Sequence, residues 1–125
     1  MNIISAPHAP AALGPYSHAI VQGNLVFCSG QIPLDPETME ICGNTIETQT
    51  EQVMKNVSAV LAAAGSSLEK IIKATVFLAS MDDFAGMNAV YEKALAGHKP
   101  ARSAFQVGRL PKDALLEIEC IAVAG

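Results

Sequence analysis

The run Leu115-Leu116-Glu117-Ile118-Glu119-Cys120-Ile121-Ala122-Val123 sets two carboxylates inside an otherwise apolar strand. Side chains alternate along a strand, so Glu117 and Glu119 point the same way, roughly 7 Å apart. Leu115, Ile121 and Val123 share their face, while Leu116, Ile118, Cys120 and Ala122 line the other. Neither face is plainly solvated, so a sheet built on this strand needs cover on both sides. A second run, entered through Pro100, is Ala101-Arg102-Ser103-Ala104-Phe105-Gln106-Val107, and no acidic residue lies near its arginine in sequence. A guanidinium keeps its charge and is rarely buried without a carboxylate or phosphate partner. Either a distant acid pairs with Arg102, one of the two glutamates being the obvious choice, or a ligand does. On neighbouring strands, the fixed cation and the embedded carboxylate suggest a small anionic substrate and proton transfer.

The rest of the chain supplies the frame. Runs rich in β-formers, Tyr16 to Val21 and Leu25 to Ser29, flank Gln22-Gly23-Asn24 and read as a hairpin. Pro33, Pro36 and Gly43 then mark a loop. Thr48-Gln49-Thr50-Glu51 matches a capping box, which predicts a helix start. Val53, Met54, Val57, Val60, Leu61 and Ala64 follow at helical spacing, and Gly65 supplies the stop. Ile71 to Leu78 reads as a strand, and a second helix is expected from Ser80 or Asp82 to Gly97. Its apolar stripe is Phe84, Met87, Tyr91 and Leu95. Two strands close the chain around the Leu110-Pro111-Lys112-Asp113 turn. The order β-β-α-β-α-β-β implies an α+β fold, residues 1–125 as one domain, with both helices on one face of a mixed sheet. The opposite apolar face then needs a partner, and a homo-oligomer is the natural cover.

Composition agrees with that cover. Half of the 125 residues are hydrophobic, only 16% are charged and there is no Trp. That is greasy for a monomer. A net charge of −4 and eight unclustered basic residues argue against a nucleic-acid footprint. Cys28, Cys42 and Cys120 show no metal or redox spacing, and Cys28 and Cys120 read as small buried hydrophobes. His8, His18 and His98 share no ligand spacing and are expected at the surface, so no metal is implied. No signal-peptide pattern or membrane-length apolar stretch is visible, which fits a cytoplasmic protein.

Several short motifs, in order, cover almost the whole chain. They are Gly14-Pro15-Tyr16, Ser29-Gly30-Gln31-Ile32-Pro33, Phe84 through Asn88 with Tyr91, and Pro100-Ala101-Arg102-Ser103. Leu110-Pro111-Lys112-Asp113 and Glu117 through Val123 complete the set. Together they resemble the RidA/YjgF family. That resemblance implies a chorismate-mutase-like fold, a homotrimer with ligand clefts between subunits, and no cofactor. It implies hydrolysis of reactive enamines and imines, chiefly 2-iminopropanoate and 2-iminobutanoate, to 2-oxo acids and ammonia. Arg102 matches the arginine that binds the substrate carboxylate, and Glu117 the acid that positions or activates water. Tyr16, Ser29 and Asn88 match positions lining the cleft, with the Gly30 backbone beside them. Glu119 is left the structural member of the acid pair.

The chain departs from that pattern in two places. Many deaminating members carry a cysteine two residues after the arginine, where this chain has Ala104, whose backbone carbonyl is left to orient water. The Gly97-His98-Lys99 loop is also a few residues shorter. Three other functions compete with the enzyme: a sensor of 2-oxo acids or amino acids, a ribonuclease or translation inhibitor, and a structural trimer.

Overall fold

A computed structural model describes residues 1–125. Six strands form one mixed sheet: β1 (Asn2–Ile4), β2 (Ala19–Gln22), β3 (Leu25–Gln31), β4 (Ile71–Leu78), β5 (Ala101–Gln106) and β6 (Leu116–Val123). Two helices, α1 (Ile46–Ala63) and α2 (Phe84–Leu95), complete the α+β fold expected from sequence. The spatial order is β1-β2-β3-β6-β4-β5. All neighbours are antiparallel except β4 and β5. β1 is an addition to the expected order, because three residues are too few to show a period.

Strand alternation sorts the sheet into two faces. Val26, Ala74, Val76, Leu78, Leu116, Ile118, Cys120 and Ala122 are buried and join one core with Val53, Val57, Val60 and Leu61 of α1 and Met87, Tyr91 and Leu95 of α2. Cys28 and Cys120 are direct register partners on that face, consistent with their reading as core residues. Phe27, Phe77, Phe105 and Ile121 stand on the opposite face. There Phe27 and Phe105 are 42% and 45% exposed, so two of the three aromatic rings lie open to solvent in the single chain.

The local signals mostly mark the right places, with shifts of a turn. Gly23 takes φ +61 between Gln22 and Leu25, which pair directly, so the hairpin loop is Gly23-Asn24. Tyr16 lies before the strand rather than in it. The cap of α1 is Thr45, whose side chain accepts from the Thr48 N–H. The Thr48 capping box is therefore corrected by one turn: it lies inside the helix, where Thr50 Oγ1 donates to the Ile46 carbonyl instead. A 3-10 turn capped by Ser80 precedes α2, which ends as Ala96 and Gly97 turn to positive φ.

Buried polar groups anchor the loops around this frame. Asn56 of α1 is 1% exposed and its Nδ2 donates to the carbonyls of Ile32 and Leu34, at 3.1 and 2.9 Å. Asn56→Ala leaves the Leu34 carbonyl unpaired and the Ile32 carbonyl with only the Leu34 N–H, and urea denaturation should register a loss of about 1–3 kcal/mol. His18 is buried, not at the surface as expected: Nδ1 accepts from the Ala6 N–H at 2.8 Å, and Nε2 faces the Pro10 carbonyl at 2.7 Å. Those partners require the Nε2–H tautomer, and they tie the N-terminal segment to the start of β2. His98 is half-buried, its Nε2 lying 2.6 Å from the Ile71 carbonyl.

Candidate functional site

Arg102 and Glu117 do not share a site within one chain. β5 and β6 are not neighbours, since β4 runs between them. Arg102 pairs with Ala74, and Glu117 with Phe77, three residues further along β4. Ala74 belongs to the helix-covered face and Phe77 to the open one, so the guanidinium and the carboxylate leave the sheet on opposite sides. Two sequence expectations are corrected by this: the strands are not adjacent, and neither glutamate forms an ion pair with Arg102. The one ion pair in the chain joins Arg109 and Asp113 at the surface.

On the helix side, α2 cradles Arg102. Phe84, Asn88 and Tyr91 follow at i, i+4 and i+7, hence on one stripe. The Arg102 guanidinium carbon lies 5.5 Å from the Phe84 ring centroid and 5.1 Å from that of Tyr91. Asn88 Oδ1 accepts from Arg102 Nη1 at 2.6 Å. Asn88 thus touches the arginine itself. These contacts hold the guanidinium flat with no carboxylate, and leave its remaining N–H donors without a protein partner. Asn88, Tyr91 and Arg102 open on a groove of about 510 Å³ whose rim includes Glu92, His98 and Lys99. His98, Lys99 and Pro100, ahead of β5, line the same groove as the arginine. Ala104, two residues on, is half-buried on the same face of β5.

On the open side, Tyr16, Ser29, Gly30 and Glu117 gather around a second groove of about 480 Å³. A register shift between Cys28 and Gln31 bulges β3, setting Ser29 and Gly30 opposite Glu119. Gly30 lies in that bulge, and a Cβ built on it would collide with the Glu117 carboxylate. Glycine is therefore what lets the acid lie against the β3 backbone. Ser29 Oγ donates to the Ser17 carbonyl at 2.6 Å, and its N–H to the His18 carbonyl at 3.0 Å, which joins the segment carrying Tyr16 to β3. Tyr16 is 51% exposed, so its ring is free to meet another surface.

Burial lifts the Glu117 carboxyl above the ordinary carboxylate value, and the charge of Glu119 adds to the effect. Glu119 shares the face, as its spacing predicts, but is exposed. A half-buried carboxylate with no cation near it is set to take up a proton. No group of three or more His, Cys, Asp or Glu side chains is placed to hold a metal ion.

The seven expected site residues therefore fall into two groups, Asn88, Arg102 and Ala104 on one face and Tyr16, Ser29, Gly30 and Glu117 on the other. A sequence model described as Endoribonuclease L-PSP matches residues 6–124. The chain belongs to the YjgF/RidA family. A RutC family protein of Pyrococcus horikoshii is 53% identical over 97% of this chain and 96% of its own. The 2-iminobutanoate/2-iminopropanoate deaminase of Mus musculus is 41% identical over 99% of this chain and 92% of its own. The crystal structure of E. coli TdcF with bound serine superposes with a TM-score of 0.95 at 45% identity, covering 100% of both chains.

Sequence reasoning left Phe84 and Tyr91 out of the site. It read them as part of a core stripe, which they are, because Met87 and Leu95 of the same helix are buried. The signal that could have found them was Asn88 at helical spacing between two aromatics, a combination suited to holding a planar cation.

Proposed function

We propose that this protein hydrolyses reactive 2-imino acids, 2-iminopropanoate and 2-iminobutanoate, to 2-oxo acids and ammonia in clefts between subunits of a homotrimer. The carrying observation is Arg102 without a carboxylate on one face and Glu117 without a cation on the other. Each has what the other lacks, and only a second copy can bring them together. The apolar, aromatic open face offers the surface for that meeting. Relatives named as deaminases over nearly the whole chain supply the reaction class.

In this reading residues 1–125 act as one domain, and Arg102 of one copy holds the substrate carboxylate with its planar donor fork. Glu117 of the next copy accepts a proton from water as the oxygen attacks the imine carbon. Glu117 returns that proton to the imine nitrogen to give the tetrahedral carbinolamine, then carries the carbinolamine hydroxyl proton to the nitrogen as the C–N bond breaks, releasing the 2-oxo acid and ammonia. Tyr16 and Ser29 line the Glu117 side of the cleft, Asn88 positions Arg102, and the Ala104 carbonyl orients water. The step uses only acid–base groups, worth about 10²–10⁴-fold in rate.

Two measurements test this. Light scattering at micromolar concentration should give about three times the 13.1 kDa chain mass. A threonine dehydratase should generate the imine, and its decay should quicken when this protein is added. A stable monomer overturns the shared cleft. An assembled protein that leaves imine decay unchanged overturns the hydrolase. Ala104 in place of a thiol favours one second reading, a carboxylate sensor without turnover, which that last outcome would support.

A further inference from the structure

Tyr91 carries a hydroxyl that the chain leaves unused. The residue is 7% exposed, and its Oη is buried with no hydrogen-bond partner. An unpaired buried hydroxyl destabilises the fold that holds it. Phenylalanine would fill the same space and offer the same platform to Arg102 without that cost, as Phe84 does on the other side. The oxygen therefore calls for a partner from outside the chain. Its surroundings define the partner's chemistry. Tyr91 lies under the guanidinium of Arg102, and both line the groove that also exposes Asn88. Asn88 Oδ1 is already engaged by Arg102 Nη1. Burial pushes the Tyr91 phenol up, more than the Arg102 charge pulls it down, so it remains a donor at neutral pH.

We propose that Tyr91 is a ligand-binding residue whose hydroxyl donates to the carboxylate held by Arg102. The inference rests on the carboxylate-binding reading given above and adds a residue to it. A carboxylate offers about four lone-pair directions, of which a bidentate guanidinium uses two. A neutral phenol meets a third without adding charge. It also fixes the carboxylate plane, and with it the direction from which water reaches the adjacent imine carbon. Oη is closed to solvent in the separated chain, so the carboxylate reaches it as Arg102 shifts over the ring, and bound ligand then ends its orphaned state.

Tyr91→Phe removes the oxygen and little else. Calorimetry with 2-oxobutanoate on the assembled protein should show roughly tenfold weaker binding, the order expected for one hydrogen bond to a charged group. The melting temperature should stay level or rise, since an unpaired hydroxyl has been removed. Equal affinity for 2-oxobutanoate in the Phe variant overturns the proposal. A lowered melting temperature with equal affinity would place the oxygen in a bond to a second copy or a buried water, and overturns it too. Imine decay separates the two levels of the argument. Wild-type protein that accelerates decay while Tyr91→Phe binds 2-oxobutanoate unchanged loses only this inference. Wild-type protein that neither binds 2-oxobutanoate nor accelerates decay loses the site and the inference together.

Discussion

Arg102→Lys and Glu117→Gln should each abolish most imine hydrolysis alone, yet regain about a quarter of wild-type activity when mixed equally into hybrid oligomers. The fraction follows from the split site. A cleft works when its arginine comes from a Glu117→Gln chain and its glutamate from an Arg102→Lys chain, and random mixing meets each condition half the time. Lysine keeps the charge at position 102 but loses the planar fork, the flat stacking between Phe84 and Tyr91, and the geometry of the Asn88 bond. Differently tagged chains, refolded together and resolved by native mass spectrometry, would confirm that hybrids form. Hybrids with no recovered activity would sink the intersubunit cleft, since a site made within one chain stays broken in every chain of the mixture.

That experiment isolates the point at which sequence reasoning stopped. The alternation of Leu115 to Val123 correctly placed Glu117 and Glu119 on one face, and the pattern of Ile71 to Leu78 marked β4 to the residue. Period and propensity act over a few residues, so they carry well. The order of strands in the sheet does not. It depends on which apolar faces can be buried together, and β4, earlier in sequence than β5 and β6, inserts between them. Its insertion put the expected neighbour pair on separate strands and opposite faces. The bulge at Ser29-Gly30 was similarly silent, because it is a matter of register against β6, and the carboxylate that packs on Gly30 belongs to that other strand. His18 misled for the same reason: only the fold shows that the Ala6 N–H and the Pro10 carbonyl converge on its ring. The family motifs single out residues along the chain, but they carry no record of which face of the sheet each one occupies.

Glu117→Gln should lower iminopropanoate hydrolysis by about 10²-fold or more while binding of 2-oxobutanoate is largely retained, because the amide keeps size and polarity but accepts no proton. Its effect on stability should run the other way. Burial first, and the Glu119 charge second, hold the folded carboxyl above its ordinary value. A raised carboxyl pKa means that the native chain binds more protons than the unfolded one between the two values. Stability therefore falls as pH rises through that window, and the deficit persists above it. Glutamine carries no such deficit, so at neutral pH the variant should melt at or above the wild-type temperature, measured on the separated chain. Assembly changes the setting, since a second copy's Arg102 would favour the ionised acid and draw its pKa down. The wild-type rate should thus climb with pH through an acid limb that is missing from the residual activity of Glu117→Gln. Glu119→Gln supplies the control. Glu119 is exposed and acts on Glu117 only by repulsion, so its neutralisation should preserve turnover and move the acid limb to lower pH. Full turnover in Glu117→Gln with loss in Glu119→Gln would reverse the assignment of the two acids, and an acid limb unmoved by Glu119→Gln would remove the coupling between them.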